Sequence, residues 1–392
     1  MAELACPVCG GSESVGVLEE HAVPVHQNLI CATPEDARAV RRGDLDIRAC
    51  AVCGFVSNRA FDESLLEYGP RYDNTQLASP SFQTYVANLV STLLERDDVR
   101  NGTIVEVGCG KGAFIRALVE APGAQNKGLG FDPSYTGPLS VLGGRLRFER
   151  RFFEASSLDV RADVLICRHV IEHVTRPMDL LATFVAALRE QSGGRVFLET
   201  PSVEWILRNR VIWDLFYEHC SLFTPTSLAS ACSLSGLSVQ TVSSTFGDQY
   251  IWLEATTDLQ PRGRLQLDAH GVPDVARAFA AEYDTKVSRW KCALDNLQRE
   301  HRLALWGAGA KGSTFANLVD PDRERFVCLV DMNPAKQGAF LGGTGHPIVS
   351  PRELAQYGAT AACVLNPNYV EEIRQLVDTS NLRVEVLELG DV

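Results

Sequence analysis

The chain has 392 residues, 45% of them hydrophobic and 22% charged, with a formal net charge of −12. Such a length predicts two or three domains, and the composition is that of a soluble globular protein, not a disordered one. The absence of a long basic run argues against a nucleic-acid partner. No apolar stretch reaches the roughly twenty residues that span a bilayer, and the start lacks a signal peptide, so a cytoplasmic location is expected.

In chain order, the first signal is a pair of C-x-x-C-G knuckles, Cys6-Pro-Val-Cys9-Gly10 and Cys50-Ala-Val-Cys53-Gly54. Each brings two thiolates to one metal while its glycine permits the turn behind them. The pattern predicts a tetrahedral zinc site of Cys6, Cys9, Cys50 and Cys53, structural because sulfur would fill all four positions. The stretch between the knuckles must fold over or beside the site. Its His21, His26 and Cys31 lack knuckle spacing and read as core or substrate-facing groups. This module is expected over residues 1–60, ending near Phe55–Arg59. Tyr68, Tyr72 and Asn74 follow, just upstream of the next domain, and read as more than a linker. A helix over Ser81–Glu95 carries Phe82, Tyr85, Leu89, Leu93 and Leu94 at helical spacing.

Ile104, Val105 and Val107 then read as a buried parallel strand that breaks into a glycine turn, Glu106-Val-Gly108-Cys-Gly110-Lys111-Gly112. A carboxylate two residues before the first glycine would repel a pyrophosphate and suits a cationic ligand. Gly128–Asp132 forms a second strand ending in an acid, placed to hold ribose hydroxyls. Strands at 104–107, 128–131, 163–166 and 195–199 alternate with helices at 112–120 and 178–189, which argues for a parallel sheet covered on both faces. Closing strands are expected at Val239–Thr245 and Tyr250–Glu254, completing a unit over 61–258.

Residues Gln260–Pro273 read as a polar connection and Asp274–Leu297 as a helix with Asp274 as its N-cap. Within a last unit over 275–392, a strand runs into Gly307-Ala-Gly309-Ala-Lys311-Gly312, with Asp331 at the distance of a ribose-binding acid. That loop is compatible with an empty structural domain, with a lid that contributes groups to a substrate, or with an NAD site.

Two clusters could carry chemistry. In Arg168-His169-Val-Ile-Glu172-His173, Arg168 and His169 are expected at the cofactor pocket and His173 toward the substrate. The two histidines sit at i and i+4, as a metal pair on one helical face would, with Glu172 on another face. In Phe216-Tyr217-Glu218-His219, a Glu before a His in an aromatic segment can supply a desolvated imidazole base. The same spacing fits a solvated surface helix.

The glycine turn and its acid resemble the S-adenosylmethionine site of class I methyltransferases. The whole order of knuckles, Tyr segment, glycine motif, Glu-His pair and C-terminal G-x-G-x-x-G is similar to three-domain nucleotide-sugar C-methyltransferases. The resemblance implies an α/β fold: a class I Rossmann-like core, a small zinc-binding N-domain and a Rossmann-like C-domain. It implies S-adenosylmethionine bound by Glu106, Gly108, Gly110, Lys111, Gly112, Asp132, Arg168 and His169, a nucleotide-linked keto-sugar as acceptor, and a monomer or small homo-oligomer. In that family a Y-H-E-H signature ends in the His that abstracts a proton beside the ketone. Here the positions read Phe216, Tyr217, Glu218 and His219, so the base would be His219 with Glu218 beside it. His173 and Tyr72 match the family's other catalytic His and Tyr, and Tyr217 or Tyr72 would replace the lost hydroxyl. An O- or N-methyltransferase, a non-catalytic zinc- and nucleotide-binding scaffold and a dehydrogenase built on Gly307, Gly309 and Gly312 are the competing readings.

Overall fold

The computed structural model of the protein describes residues 5–67, 72–73, 75, 78–158, 161–188, 193–257 and 267–390. Tyr68, Asn74 and residues 260–266 of the expected 260–273 connection lie outside them.

The central sheet has eight strands in the order Ser238–Thr245, Tyr250–Thr256, Arg195–Pro201, Val164–Arg168, Thr103–Val107, Lys127–Phe131, Leu146–Glu149 and Ser140–Val141. The five from Arg195–Pro201 to Leu146–Glu149 are parallel. Their apolar runs, such as Val164–Cys167 and Val196–Leu198, are buried because helices cover both faces. Thr103–Val107 has neighbours reached in opposite directions, Lys127–Phe131 on one side and Val164–Arg168 on the other. The crevice beyond its end is therefore the switch point where such sheets bind ligands. The sequence pattern did not mark Leu146–Glu149 or the two-residue Ser140–Val141. Leu146–Glu149 is four residues long and half-exposed at alternate positions, too short to stand out by hydrophobicity.

The C-terminal sheet is all parallel, in the order Ile348–Val349, Phe326–Val330, Leu303–Trp306, Ala361–Val364, Glu385–Glu388. The long helix before it begins at Val272, two residues before the expected cap. Gly271, at φ 73°, occupies the cap position, Pro273 sits in the first turn, and Asp274 instead pairs with Arg277.

The N-terminal knuckle module does not close on itself. Its antiparallel sheet of Ser14–Pro24, Arg42–Cys50 and Val56–Asn58 is completed by Ser221–Leu222 from the methyltransferase region, paired with Val56–Ser57. A second short pairing joins Ile30–Cys31 to Phe340–Leu341 of the C-terminal unit. One hydrophobic cluster runs through Ile47, Trp213, Tyr217, Trp290 and Phe315, so the three regions share a core. Among the described residues no helix is long and apolar enough to cross a membrane.

Candidate active site

The glycine turn is built for close approach. Gly108, Gly110 and Gly112 have φ of 71°, 53° and 76°. A Cβ on Gly108 would stand 2.1 Å from Val170 and one on Gly112 2.4 Å from the Phe148 ring, whereas at Gly110 nothing lies within 4 Å. The outer glycines let the loop pack on its neighbours, and the middle one leaves an open side. Asp132 closes the loop by accepting the Gly110 N–H at 2.8 Å, and its other oxygen accepts the Ser134 N–H at 2.8 Å. Glu106 is buried beneath and accepts the Ile115 N–H at 3.1 Å; burial pushes its carboxyl up to about 8, with Arg168 opposing. An open glycine face flanked by the acids Glu106 and Asp132 fits S-adenosylmethionine, whose ribose would meet Asp132. Lys111 points its ammonium at Asp73, 2.9 Å away, and so ties the loop to the segment upstream of the domain.

Arg168 and His169 belong to a buried charge row across the strand ends. The Arg168 guanidinium is held by Glu199 and lies 4.2 Å over the Phe114 ring, while its Nη2 has no hydrogen-bond partner. Burial alone would raise the Glu199 carboxyl, yet Arg168 and His169 hold it down at about 2. Tyr85 donates to the same carboxylate. Glu199 was not singled out from the sequence and Tyr85 only as part of a helical stripe, although an acid near the end of a buried strand, as Glu106 is, is a readable signal. His169 adopts φ 54° and places its ring 3.4 Å from Glu199 and 3.5 Å from Glu172. The expectation that Glu172 faces away from His169 is thus corrected. Residues 168–174 form no α-helix, only a one-turn 3-10 helix at Ile171–His173, so helical-face spacing does not apply.

That turn joins two halves of a site. Val170 packs on Gly108, and three residues later the His173 ring stands 4.9 Å from the His219 ring, centroid to centroid. His173 Nδ1 donates to the Glu218 carbonyl at 2.9 Å. Phe216 covers the other side of His219, with centroids 4.0 Å apart. The solvated-helix reading of this segment fails, because residues 211–220 are all buried and leave the helical path after Asp214. Burial pushes the His219 imidazole well below its usual range, with His173, His169 and Lys311 adding repulsion, so it is neutral at neutral pH. Its Nδ1 is buried without a hydrogen-bond partner.

Two expected catalytic groups are spent elsewhere. Glu218 turns away from His219: its Oε1 accepts from His26 Nδ1 at 3.3 Å and its Oε2 from the Gln27 N–H at 2.9 Å. His26 Nε2 accepts the Glu67 N–H at 3.0 Å, which fixes Nδ1 as the protonated nitrogen. The Tyr217 hydroxyl takes the Asp62 N–H at 2.8 Å and donates to the Asp62 carbonyl, and its ring stacks on Phe61. Room for that ring comes from Gly43, where a Cβ would sit 2.3 Å away. Tyr72 is brought beside this latch, bridged to Leu29 with its ring 5.8 Å from His26.

The C-terminal glycine loop faces the same place. Asp331 accepts the Ala308 N–H at 3.0 Å, and Lys336, buried, donates to Asn28 Oδ1 at 2.9 Å and to the Ala308 carbonyl at 3.1 Å. Lys311 pairs with Asp214 at 2.8 Å and donates to Gln249 at 2.9 Å. Asn28 also accepts the Asp73 N–H through its carbonyl, so the loop His26–Asn28 touches all three regions. These partners are far apart in sequence, which is why no local pattern marked them. At the knuckles, Cys6 and Cys53 Sγ are 3.7 Å apart, Cys9 and Cys50 Sγ 3.6 Å, and all four sulfurs lie within 4.8 Å of one another.

A family model described as a methyltransferase domain matches residues 81–242, and one described as the C-methyltransferase C-terminal domain matches 272–381. The chain belongs to the S-adenosylmethionine-dependent C-methyltransferases. It is 23% identical to the C-methyltransferase NovU of Streptomyces niveus over 94% of this chain and 90% of that one. A mitochondrial ubiquinone biosynthesis O-methyltransferase of Schizosaccharomyces pombe is 31% identical over 28% of this chain and 41% of its own length. Among solved structures, the 1,6-didemethyltoxoflavin-N1-methyltransferase of Burkholderia thailandensis aligns over 46% of this C-methyltransferase and 82% of its own chain, with 17% identity and a TM-score of 0.36.

Two predictions follow from these contacts. Glu218→Ala and His26→Ala each leave a buried partner unsatisfied and should cost about 2 kcal/mol in urea unfolding. The double variant should show a coupling of about 1 kcal/mol, and strict additivity would refute the latch. His169, raised to about 9 by Glu199 and Glu172 against burial, binds its proton more tightly folded than unfolded. Its contribution is full below an unfolded pKa of about 6.5 and is lost as pH rises through 9, of the order of 3 kcal/mol. His169→Asn should flatten the fall in stability over that range, measured by urea midpoints at pH 6.5 and 9.

Proposed function

We propose that this C-methyltransferase methylates the carbon next to the ketone of a nucleotide-linked (deoxy)sugar, with His219 as general base. The observation that carries the reading is a buried, neutral imidazole joined to the glycine loop through Val170 and His173. Carbon does not attack a methyl group until it has lost a proton, so a base with an available lone pair is required, and His219 holds one at neutral pH. Its imidazole takes the α-proton, and the C–H electron pair moves into an enolate. Tyr72 is the proposed hydrogen-bond donor to the enolate oxygen; the His173 N–H is taken by the Glu218 carbonyl, so His173 acts by position beside His219. S-adenosylmethionine supplies the electrophilic methyl group. Phe216 and the buried segment around it exclude the water that would reprotonate the enolate. Glu218 and Tyr217 act by position: the first anchors the N-terminal loop behind His219, the second anchors the segment at Asp62. An acceptor carrying phosphate is supported by the cations of the C-terminal unit, Lys311 and the buried Lys336, that border this crevice.

His219→Ala should bind S-adenosylmethionine as the wild type does but lose turnover by about two orders of magnitude or more. In the wild type with S-adenosylhomocysteine, a keto-sugar nucleotide should exchange deuterium from solvent at the carbon beside its ketone. Full activity of the variant, or absence of exchange, would sink the assignment.

The four cysteines are proposed to hold a structural zinc ion. A tetrahedron with Zn–S of about 2.3 Å places sulfurs about 3.8 Å apart, close to the pairs observed. The Gly11 and Val52 N–H groups each donate to a sulfur at 3.4 Å, supporting the thiolates. The purified protein should contain one zinc per chain, lost together with N-terminal folding in Cys50→Ser; a folded, zinc-free variant would refute this role.

A further inference from the structure

Among the described residues only one cluster besides the four cysteines brings three potential metal-binding side chains together: Glu172, His173 and His219, each with a ligand atom within 4.8 Å of the others. Each carries a feature of a metal ligand. The Glu172 Oε1 and His219 Nδ1 atoms are buried and make no hydrogen bond. His169 Nδ1 makes only a loose ion-pair contact with that Glu172 oxygen, at 3.5 Å, which a metal ion would displace. Supporting contacts orient the set. Thr200 Oγ1 donates to the other Glu172 oxygen at 3.1 Å, and the Glu218 carbonyl fixes His173 as the tautomer with its lone pair on Nε2. Metal-bound histidines and carboxylates are typically braced by such second contacts.

We infer that, in the acceptor-free enzyme, Glu172, His173 and His219 form a two-histidine, one-carboxylate site for a divalent first-row transition-metal ion. Imidazole with carboxylate suits zinc, cobalt, nickel or iron, whereas magnesium and calcium prefer oxygen ligands alone. The buried His219 Nδ1, which no hydrogen bond uses, is the ring nitrogen open to the ion. A metal on either nitrogen of that ring leaves a proton on the other, so a metal-bound His219 cannot act as a base. The ion is therefore an inhibitor that occupies the acceptor half of the crevice, distinct from the zinc at the cysteines. This consequence for turnover rests on the proposed role of His219; the binding itself does not.

The test is a cobalt(II) titration of the full-length protein with its cysteine site loaded with zinc and no acceptor present. One additional cobalt per chain should bind, giving weak visible bands without sulfur-to-cobalt charge transfer. Glu172→Gln and His173→Ala should each weaken that binding by about 100-fold or more, because loss of a direct ligand should cost at least as much as loss of a supporting one. Unchanged binding of S-adenosylmethionine would show that both variants fold. No additional cobalt in the wild type, cobalt bound only with sulfur bands, or binding equal in both folded variants overturns the site. If cobalt binds as expected but does not slow turnover, the metal site stands and the assignment of His219 as base fails.

Discussion

The arrangement of the site depends on one buried carboxylate. Glu218 is fully enclosed, and a charge there is tolerated only because His26 and the Gln27 N–H meet both of its oxygens. Those partners come from the N-terminal module, so satisfying Glu218 requires that module to dock beside the methyltransferase core. Docking is completed by the strand Ser221–Leu222, which begins two residues after His219 and pairs with Val56–Ser57. The position of His219 is thus set from both sides by contacts with another domain, not by the local conformation of its own segment.

This makes sense of a knuckle module on a small-molecule enzyme. Its sulfurs lie remote in sequence from the reacting groups, yet the loop His26–Asn28 that it presents reaches Glu218, Asp73 and Lys336 together. Asp73 in turn holds Lys111 of the cofactor loop. A polar path therefore links the glycine turn, the N-terminal loop and the C-terminal glycine loop at Ala308. Its links from Asp73 to Ala308 join groups with little access to water, whereas the Lys111 end of the path is exposed.

The elements legible from sequence were those whose cause is local. The run Ile104–Val107 and the glycines after it read correctly as strand and turn, since positive φ and the lack of room at Gly108 and Gly112 are demands made within a few residues. The knuckle cysteines read as two pairs, and the fold brings the pairs together. Misreadings arose where spacing stood in for geometry. His169 and His173 at i and i+4 suggested one helical face, but the segment is a strand end followed by a single 3-10 turn. Glu218 next to His219 suggested a polar neighbour for the base, but its carboxylate turns to His26 and the Gln27 N–H instead. Short edge strands such as Ser140–Val141 left no periodic trace.

The sequence by itself determined the class I methyltransferase sheet, the acid-flanked glycine loop that suits a sulfonium nucleotide, and the presence of further modules at both ends. Hydrophobic periodicity, glycine placement and paired thiols each act over a few residues, so they survive without coordinates. Tertiary structure alone decided that Tyr217 and Glu218 serve as anchors, that Glu199 and Tyr85 confine Arg168 and His169, and that Glu172, His173 and His219 converge. Burial and the satisfaction of buried charge depend on partners scores or hundreds of residues away, and no local pattern encodes which of them will meet.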